Sequence, residues 1–203
     1  MSESTFQTQV LRYLNSLPGC IAENVSGNAN QSGRADINAC YHGDCVKIEL
    51  KDHDTAYKAT KLQKLYLLKW KKAGAITAVC RTLEEIKDLI TAIEVYHMKF
   101  RSGMNTKQKI EALQRYILVH SIIYYHLDDN VISDKKYDKV ARLLAKKQAE
   151  HNENKILKTQ YGYVFYDFDG STGFDLLDRL NKSDRKYLMK IAKCVLRLKK
   201  GDF

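Results

Sequence analysis

Two short alternating runs, Asp36–Tyr41 and Val46–Lys51, joined through His42-Gly43-Asp44, constrain the fold of this chain more than any other feature. Side chains of a strand point alternately to its two faces, so such runs on either side of a glycine-containing turn predict a β-hairpin. In the second run the alternation places Val46, Ile48 and Leu50 on one face and Lys47, Glu49 and Lys51 on the other. A turn centred on His42-Gly43 sets Asp36 across from Glu49, with Cβ atoms ~5 Å apart. Two carboxylates that close repel, and a cation between them relieves the repulsion. Magnesium, or manganese in its place, is a hard ion that takes oxygen ligands, and the Leu50 carbonyl can add one more. Lys51 on the same face can orient an attacking water or stabilise charge on a pentavalent phosphate, while the metal lowers the pKa of the water. Phosphodiester hydrolysis requires these roles. The same residues also suit a surface hairpin with an ion pair from Glu49 to Lys47 or Lys51.

The flanking segments read as helices and one further strand. Phe6, Val10, Tyr13, Leu14 and Leu17 have helical spacing, which predicts a helix from Thr5 to Leu17 ending near Pro18-Gly19. A polar stretch, Asn24 to Gly33, precedes the hairpin. Thr55–Lys72 follows as a second helix, with Leu62, Leu65, Tyr66 and Lys69 along one face and Gly74 just past its end. Ala75–Cys80 reads as a buried strand, and Thr82 with Glu85 as the capping box of a third helix. The expected fold class is therefore an α/β unit over residues 1–100, in the order helix, hairpin, helix, strand, helix. The pattern stops around Arg101-Ser102-Gly103. Residues 104–203 are expected as a mainly helical domain: a long helix capped at Asn105 or Thr106 and running to about Leu127, and a second from Asp134 to about Ala149 capped by Ser133. Tyr161–Asp169 alternates as one short strand, and Ser183 caps a basic C-terminal helix.

Composition limits what such a chain can do. Apolar residues make up 44% and charged residues 29%, enough to fill a core and cover it. No apolar run approaches the ~20 residues of a membrane span, and Met1–Thr5 lacks the basic start of a signal peptide, so no membrane partner is expected. Five cysteines without CxxC spacing fit reduced thiols and a cytoplasmic setting in a bacterial cell, with a phage-encoded origin open as well. The net charge is +10. Residues 1–103 hold 14 Lys/Arg against 11 Asp/Glu, and the remainder 20 against 13. Such a balance favours phosphate backbones, and equally suits an ordinary basic surface.

Gly33-Arg34-Ala35-Asp36, twelve intervening residues and then Glu49-Leu50-Lys51 resembles the PD-(D/E)XK nucleases, in particular their virus-type replication-repair branch related to Holliday-junction resolvases. The resemblance spans roughly Glu3 to Ile90 and departs at Ala35, where the family usually has proline. It implies Asp36, Glu49, Lys51 and Gln63 as the catalytic set. The metal would rest on Asp36, Glu49 and the Leu50 carbonyl, with Glu3 or Gln7 on the first helix completing the site. Gln63, followed eleven residues later by Gly74, would position substrate or the metal-bound water. His53, in the loop Asp52-His53-Asp54, is a further candidate for phosphate contact.

In the second half, Tyr124-Tyr125-His126-Leu127-Asp128-Asp129 through Asp134-Lys135-Lys136-Tyr137-Asp138 resembles the helical N-terminal module of NAD-dependent DNA ligases, over about Lys107 to Glu150. In those ligases the module closes over the nicotinamide mononucleotide (NMN) half of NAD. By motif position Tyr124 and Tyr125 would contact nicotinamide, and Asp134, Tyr137 and Asp138 its ribose, phosphate or ring substituents. Asn130 replaces the usual proline of the turn. The ligase nucleophile, the lysine of a KxDG motif, is missing: Asp167-Phe168-Asp169-Gly170 has the Asp-Gly without it, so ligation is not expected. Ser133 as a cap and Tyr137 as a core residue explain much of the same string without a ligand.

The expectation is a magnesium-dependent endonuclease acting on branched or flapped DNA, with a C-terminal module that binds DNA or a nucleotide such as NAD or NMN. Arg34, Lys61, Lys186, Lys190 and Arg197 are candidate DNA contacts, and a homodimer suits symmetric junction cleavage. The alternative is a non-catalytic protein that reuses these surfaces to engage nucleic acid or a host protein, such as a defence inhibitor.

Overall fold

The computed structural model describes residues 3–25, 33–51, 59–98, 100, 103–151, 158–171 and 173–200. The chain divides into two compact units, one comprising Met1–Ile90 with Lys200–Phe203 and the other Thr91–Lys199. The first is mixed α/β and the second helical.

In the first unit helix α1 (Glu3–Ser16) is followed by strands β1 (Cys20–Asn24), β2 (Ile37–Tyr41) and β3 (Asp44–Leu50), helix α2 (Lys61–Lys72), strand β4 (Ile76–Cys80) and the start of helix α3 (Leu83–His97). The strands form one sheet in the order β1-β2-β3-β4. The first three are antiparallel, and β4 runs parallel to β3. His42 (φ 48°) and Gly43 (φ 86°) occupy the two left-handed positions of the tight β2–β3 turn, a geometry glycine adopts without strain. The register pairs Tyr41 with Asp44 and Ile37 with Ile48, so one further step brings Asp36 opposite Glu49.

Strand β1 was not expected. Its buried positions, Cys20 and Ala22, are small, while Ile21 between them is 76% exposed. The hydrophobic signal is therefore out of phase with the burial. The second helix also differs. Its first helical residue among those described is Lys61, with Thr60 as N-cap and Gln63 completing the capping box; residues 55–58 lie outside the described set. Its buried side is Gln63, Tyr66, Leu67 and Trp70, and Leu62 and Leu65 face solvent. Both faces of β3 are consequently covered: Val46, Ile48 and Leu50 are buried on one, and Lys47 and Glu49 on the other. That burial excludes a surface hairpin, while the ion pair expected between Glu49 and Lys51 is present.

The second unit is built on α4 (Thr106–Leu127), α5 (Asp134–Ala149), a 3-10 turn at Asp175–Leu177 and α6 (Lys182–Lys200). Asn105 caps α4 and Ser133 caps α5, each accepting a backbone N–H of the first turn. Their apolar faces meet in a core of Ile117, Ile123, Leu144, Phe165, Leu188 and Ile191, among others. Helix α6 is capped by Asn181, whose Oδ1 accepts the Asp184 N–H at 2.8 Å, and Ser183, the expected cap, lies inside the helix.

Tyr161–Asp169 is not a strand. The segment coils through consecutive turns, with Val164 N–H donating to the Tyr161 carbonyl and Phe168 N–H to that of Phe165. Its buried residues, Tyr161, Val164 and Phe165, follow a spacing of three and four rather than two. Side chains take up the carbonyls a sheet would have used: Arg179 donates to Val164 O and Gln148 to Phe165 O.

Candidate functional sites

In the first unit the candidate residues converge on Glu49. Strand β3 turns its side chain toward α2, where it is fully buried. A carboxylate removed from water requires compensation. Lys51, two residues on and so on the same face, donates Nζ–H to Glu49 Oε1. Gln63 donates Nε2–H to the same oxygen. The other end of the Gln63 amide, Oε1, accepts the Thr60 N–H at 2.8 Å. The cap of α2 thus fixes the orientation of the amide that holds Glu49. Asp36 lies just before β2, and its Oδ2 accepts the Leu50 N–H at 2.8 Å. This contact ties the Asp36 carboxylate to the residue between Glu49 and Lys51. Beside the cluster, Lys47 Nζ donates to Asn38 Oδ1 at 2.7 Å and stands 3.8 Å from the centroid of the Trp70 ring, a cation–π contact.

Asp36, Glu49, Lys51 and Gln63 are therefore connected by hydrogen bonds through one strand end and one helix cap. Gln7 sits half-buried on α1; the Glu3 side chain and all of His53 lie outside the described residues. Among the described residues no group of three His, Cys, Asp or Glu assembles into a metal-holding cluster. Within this cluster the carboxylates are those of Asp36 and Glu49. Arg34 and Lys61 are exposed in the same unit. The sequence did not disclose the capping role of Gln63; the Thr60-x-x-Gln63 spacing carried that signal.

In the second unit Tyr124, Tyr125, Asp134, Tyr137 and Asp138 all line one cavity of about 500 Å³ between the end of α4 and the start of α5. Tyr124 and Tyr125 stack edge-on at 4.9 Å between centroids, and Tyr125 meets Phe174 likewise at 5.3 Å. Both tyrosines remain largely exposed, offering aromatic surface at the cavity mouth. Deeper in, Tyr137 OH and Ser121 Oγ share a hydrogen bond of 2.9 Å, and burial pushes the Tyr137 phenol up to about 12. Gly173 presses on this pair: a Cβ there would lie 2.1 Å from Tyr137 OH and 2.6 Å from Ser121 Oγ. Asp138 pairs with Arg142 one turn along α5, at 3.7 Å on the exposed side.

His120, which the sequence reading passed over, also lines the cavity and is 3% exposed. It lies one helical turn before Tyr124, and that spacing of four was the available signal. Burial lowers its pKa to about 3, with Lys136 contributing, while a hydrogen bond to the Val95 carbonyl opposes the shift.

The Asp167–Gly170 segment serves the turn it sits in. Asp167 pairs with Arg179, which holds its carboxyl below the usual range, and Asp169 accepts the Ser171 N–H at 2.8 Å. Lys186, Lys190 and Arg197 project from the exposed side of α6. No helix among the described residues is long and apolar enough to cross a membrane.

A comparison with known protein families matches residues 103–158 to the N-terminal NAD+-binding domain of DNA ligase-like proteins. The match covers the cavity-lining tyrosines and aspartates of α4 and α5. No curated protein and no solved structure matches the chain.

Proposed function

We propose that the first unit is a divalent-metal-dependent DNA endonuclease and that the second binds a nicotinamide nucleotide. The observation that carries the nuclease reading is Glu49. It is fully buried, its Oε1 is held by Lys51 and Gln63, and Asp36 accepts the N–H of the adjoining Leu50. Burying a carboxylate with its own lysine and a cap-locked amide gains little stability over an apolar residue of similar size, so the arrangement is better explained by chemistry than by folding. The order of elements around it also agrees with the PD-(D/E)XK resemblance. Asp36, Glu49 and the Leu50 carbonyl would hold the ion, which when bound supplies a more acidic water and a counter-charge for phosphate. Lys51 would orient the water or meet the charge that develops on phosphorus, and Gln63 would hold Glu49 in position. Branched or flapped DNA is the expected substrate, and a homodimer remains the arrangement suited to a symmetric junction.

The test is a panel of labelled four-way junction, flap and plain duplex, incubated with Mg²⁺, Mn²⁺ or EDTA. Metal-dependent cleavage that Glu49→Ala removes supports the reading. Binding without cleavage under every metal supports a non-catalytic nucleic-acid-binding protein instead.

The nucleotide reading rests on a separate observation, the family match over residues 103–158 together with one cavity lined by all five motif residues. A thermal shift of the protein with NAD or nicotinamide mononucleotide is expected. A folded sample unmoved at millimolar ligand removes this reading and leaves the nuclease untouched.

A further inference from the structure

The exposed side of α2 presents a surface that the Glu49 cluster does not use. The helix has five lysines and no acidic residue. Lys61, Lys64, Lys69 and Lys72 are exposed and form no ion pair among the described residues. Between them Leu62, Leu65 and Leu68 are 51%, 48% and 40% exposed. Single exposed leucines are ordinary on a protein surface, but a repeat of three joins these into one ridge across the helix. Lys61, Leu65, Leu68 and Lys72 follow one another at i, i+4, i+7 and i+11, so charge and apolar surface share one line. The ridge starts beside the site. Leu62 lies over Gly33, where an added Cβ would come within 2.4 Å of the leucine Cγ, and its chain neighbour Gln63 holds Glu49. Arg34, next to Gly33, is exposed as well.

The occupant of such a face must supply negative charge and apolar surface together. A second copy of the same face would set lysine against lysine. A lipid surface takes a helix whose apolar stripe is clear of charge, whereas the more apolar side of α2, with Leu67 and Trp70, faces inward. Duplex DNA offers phosphates to the lysines, but the flat faces of its bases are hidden in the stack. An unpaired strand offers both, a phosphate at each step and the apolar faces of unstacked bases. Resting on the nuclease reading above, we propose that this face of α2 grips the unpaired strand of flapped or branched DNA. The lysines meet phosphates, Leu65 and Leu68 lie against bases, and the pairing of the two selects such DNA over plain duplex.

The experiment is fluorescence anisotropy of the whole protein with a labelled flap carrying a single-stranded arm and with a plain duplex, in EDTA so that nothing is cut. The wild type is expected to bind the flap ~10-fold more tightly than the duplex. Leu65→Gln/Leu68→Gln keeps good helix formers at exposed positions. It should weaken flap binding ~10-fold and change duplex binding by less than ~2-fold. Lys64→Gln/Lys72→Gln should weaken both and lower the slope of log affinity against log salt by ~1.4–1.8. Trp70 fluorescence in urea checks that the first unit of each variant is folded. Unchanged flap affinity in the folded leucine variant, or an equal loss on flap and duplex, overturns the proposal. Flap binding kept while binding to phosphatidylglycerol vesicles is lost overturns it in favour of a lipid surface. A flap held through the leucines but left uncut with Mg²⁺ or Mn²⁺ overturns the nuclease reading alone. Cutting with affinities indifferent to the leucines overturns the docking face alone.

Discussion

Removing the charge partner of Glu49 gives the sharpest test of how the first unit is built. In Lys51→Met the Glu49 carboxylate stays fully buried and loses its charged donor, while the Gln63 amide remains on Oε1. Breaking a buried ion pair on one side costs ~3–5 kcal/mol. The Lys51 side chain is only 14% exposed, so solvent screening reduces this little, while the surviving Gln63 donor moves it to the lower end, ~3 kcal/mol. With a urea slope of ~1–2 kcal/mol/M for a unit of this size, the midpoint should fall by ~1.5–3 M. Trp70 is the single tryptophan of the chain and packs under Lys47 in this unit, so its fluorescence reports the unit without interference from the other. Adding Glu49→Gln to Lys51→Met removes the stranded charge and should recover all but ~1 kcal/mol. A midpoint shift below ~0.5 M for the single variant, or no recovery in the double, would show that Glu49 is solvated and refute the reasoning.

Two further perturbations address the second unit. Gly173→Ala should separate the Tyr137–Ser121 hydroxyl pair, since its Cβ would sit 2.1 Å from the phenol oxygen; a loss of ~1–3 kcal/mol in thermal unfolding, with weaker nucleotide binding by calorimetry, is expected. His120 is held at about 3 in the folded state, below the ordinary 6.5, so the unfolded chain binds the extra proton first. Its contribution to stability is whole above pH 6.5 and is lost as the pH falls toward 3. Melting curves across that window should flatten in His120→Gln relative to wild type, and parallel profiles would show that the imidazole is not buried as described.

The parts of the fold that could be read from the chain are those whose signals are local. The β2–β3 hairpin follows from alternation and a turn whose two central residues accept positive φ. Helices α4 and α5 begin at Asn105 and Ser133 because each cap side chain satisfies a first-turn amide within three residues. Strand β1 was hidden because its contribution is backbone pairing with β2, while Ile21 points away from the core. The 161–169 segment was misassigned because Gly162 and the aromatic residues mimic alternation, whereas its carbonyls are satisfied by Arg179 and Gln148 from distant positions. The same division holds at the sites. That Asp36, Glu49 and Lys51 would lie together was legible from strand geometry, and that Gln63 would join them was an expectation of the resemblance. That α2 would bury Glu49, and that His120 would sit in the cavity wall with an uncommitted nitrogen, depends on packing that one sequence does not display.

The central claim is that the Glu49 cluster hydrolyses phosphodiester bonds. Single-turnover incubation of wild type, Glu49→Gln and Lys51→Met with a labelled four-way junction, with and without Mg²⁺, tests it most directly. The account predicts discrete metal-dependent products from the wild type and at least a ~100-fold slower reaction from both variants, in line with the loss of a preorganised charge at the reacting centre. Products that persist in Glu49→Gln, or a folded wild type that cuts none of the DNA forms with any divalent ion, would contradict it.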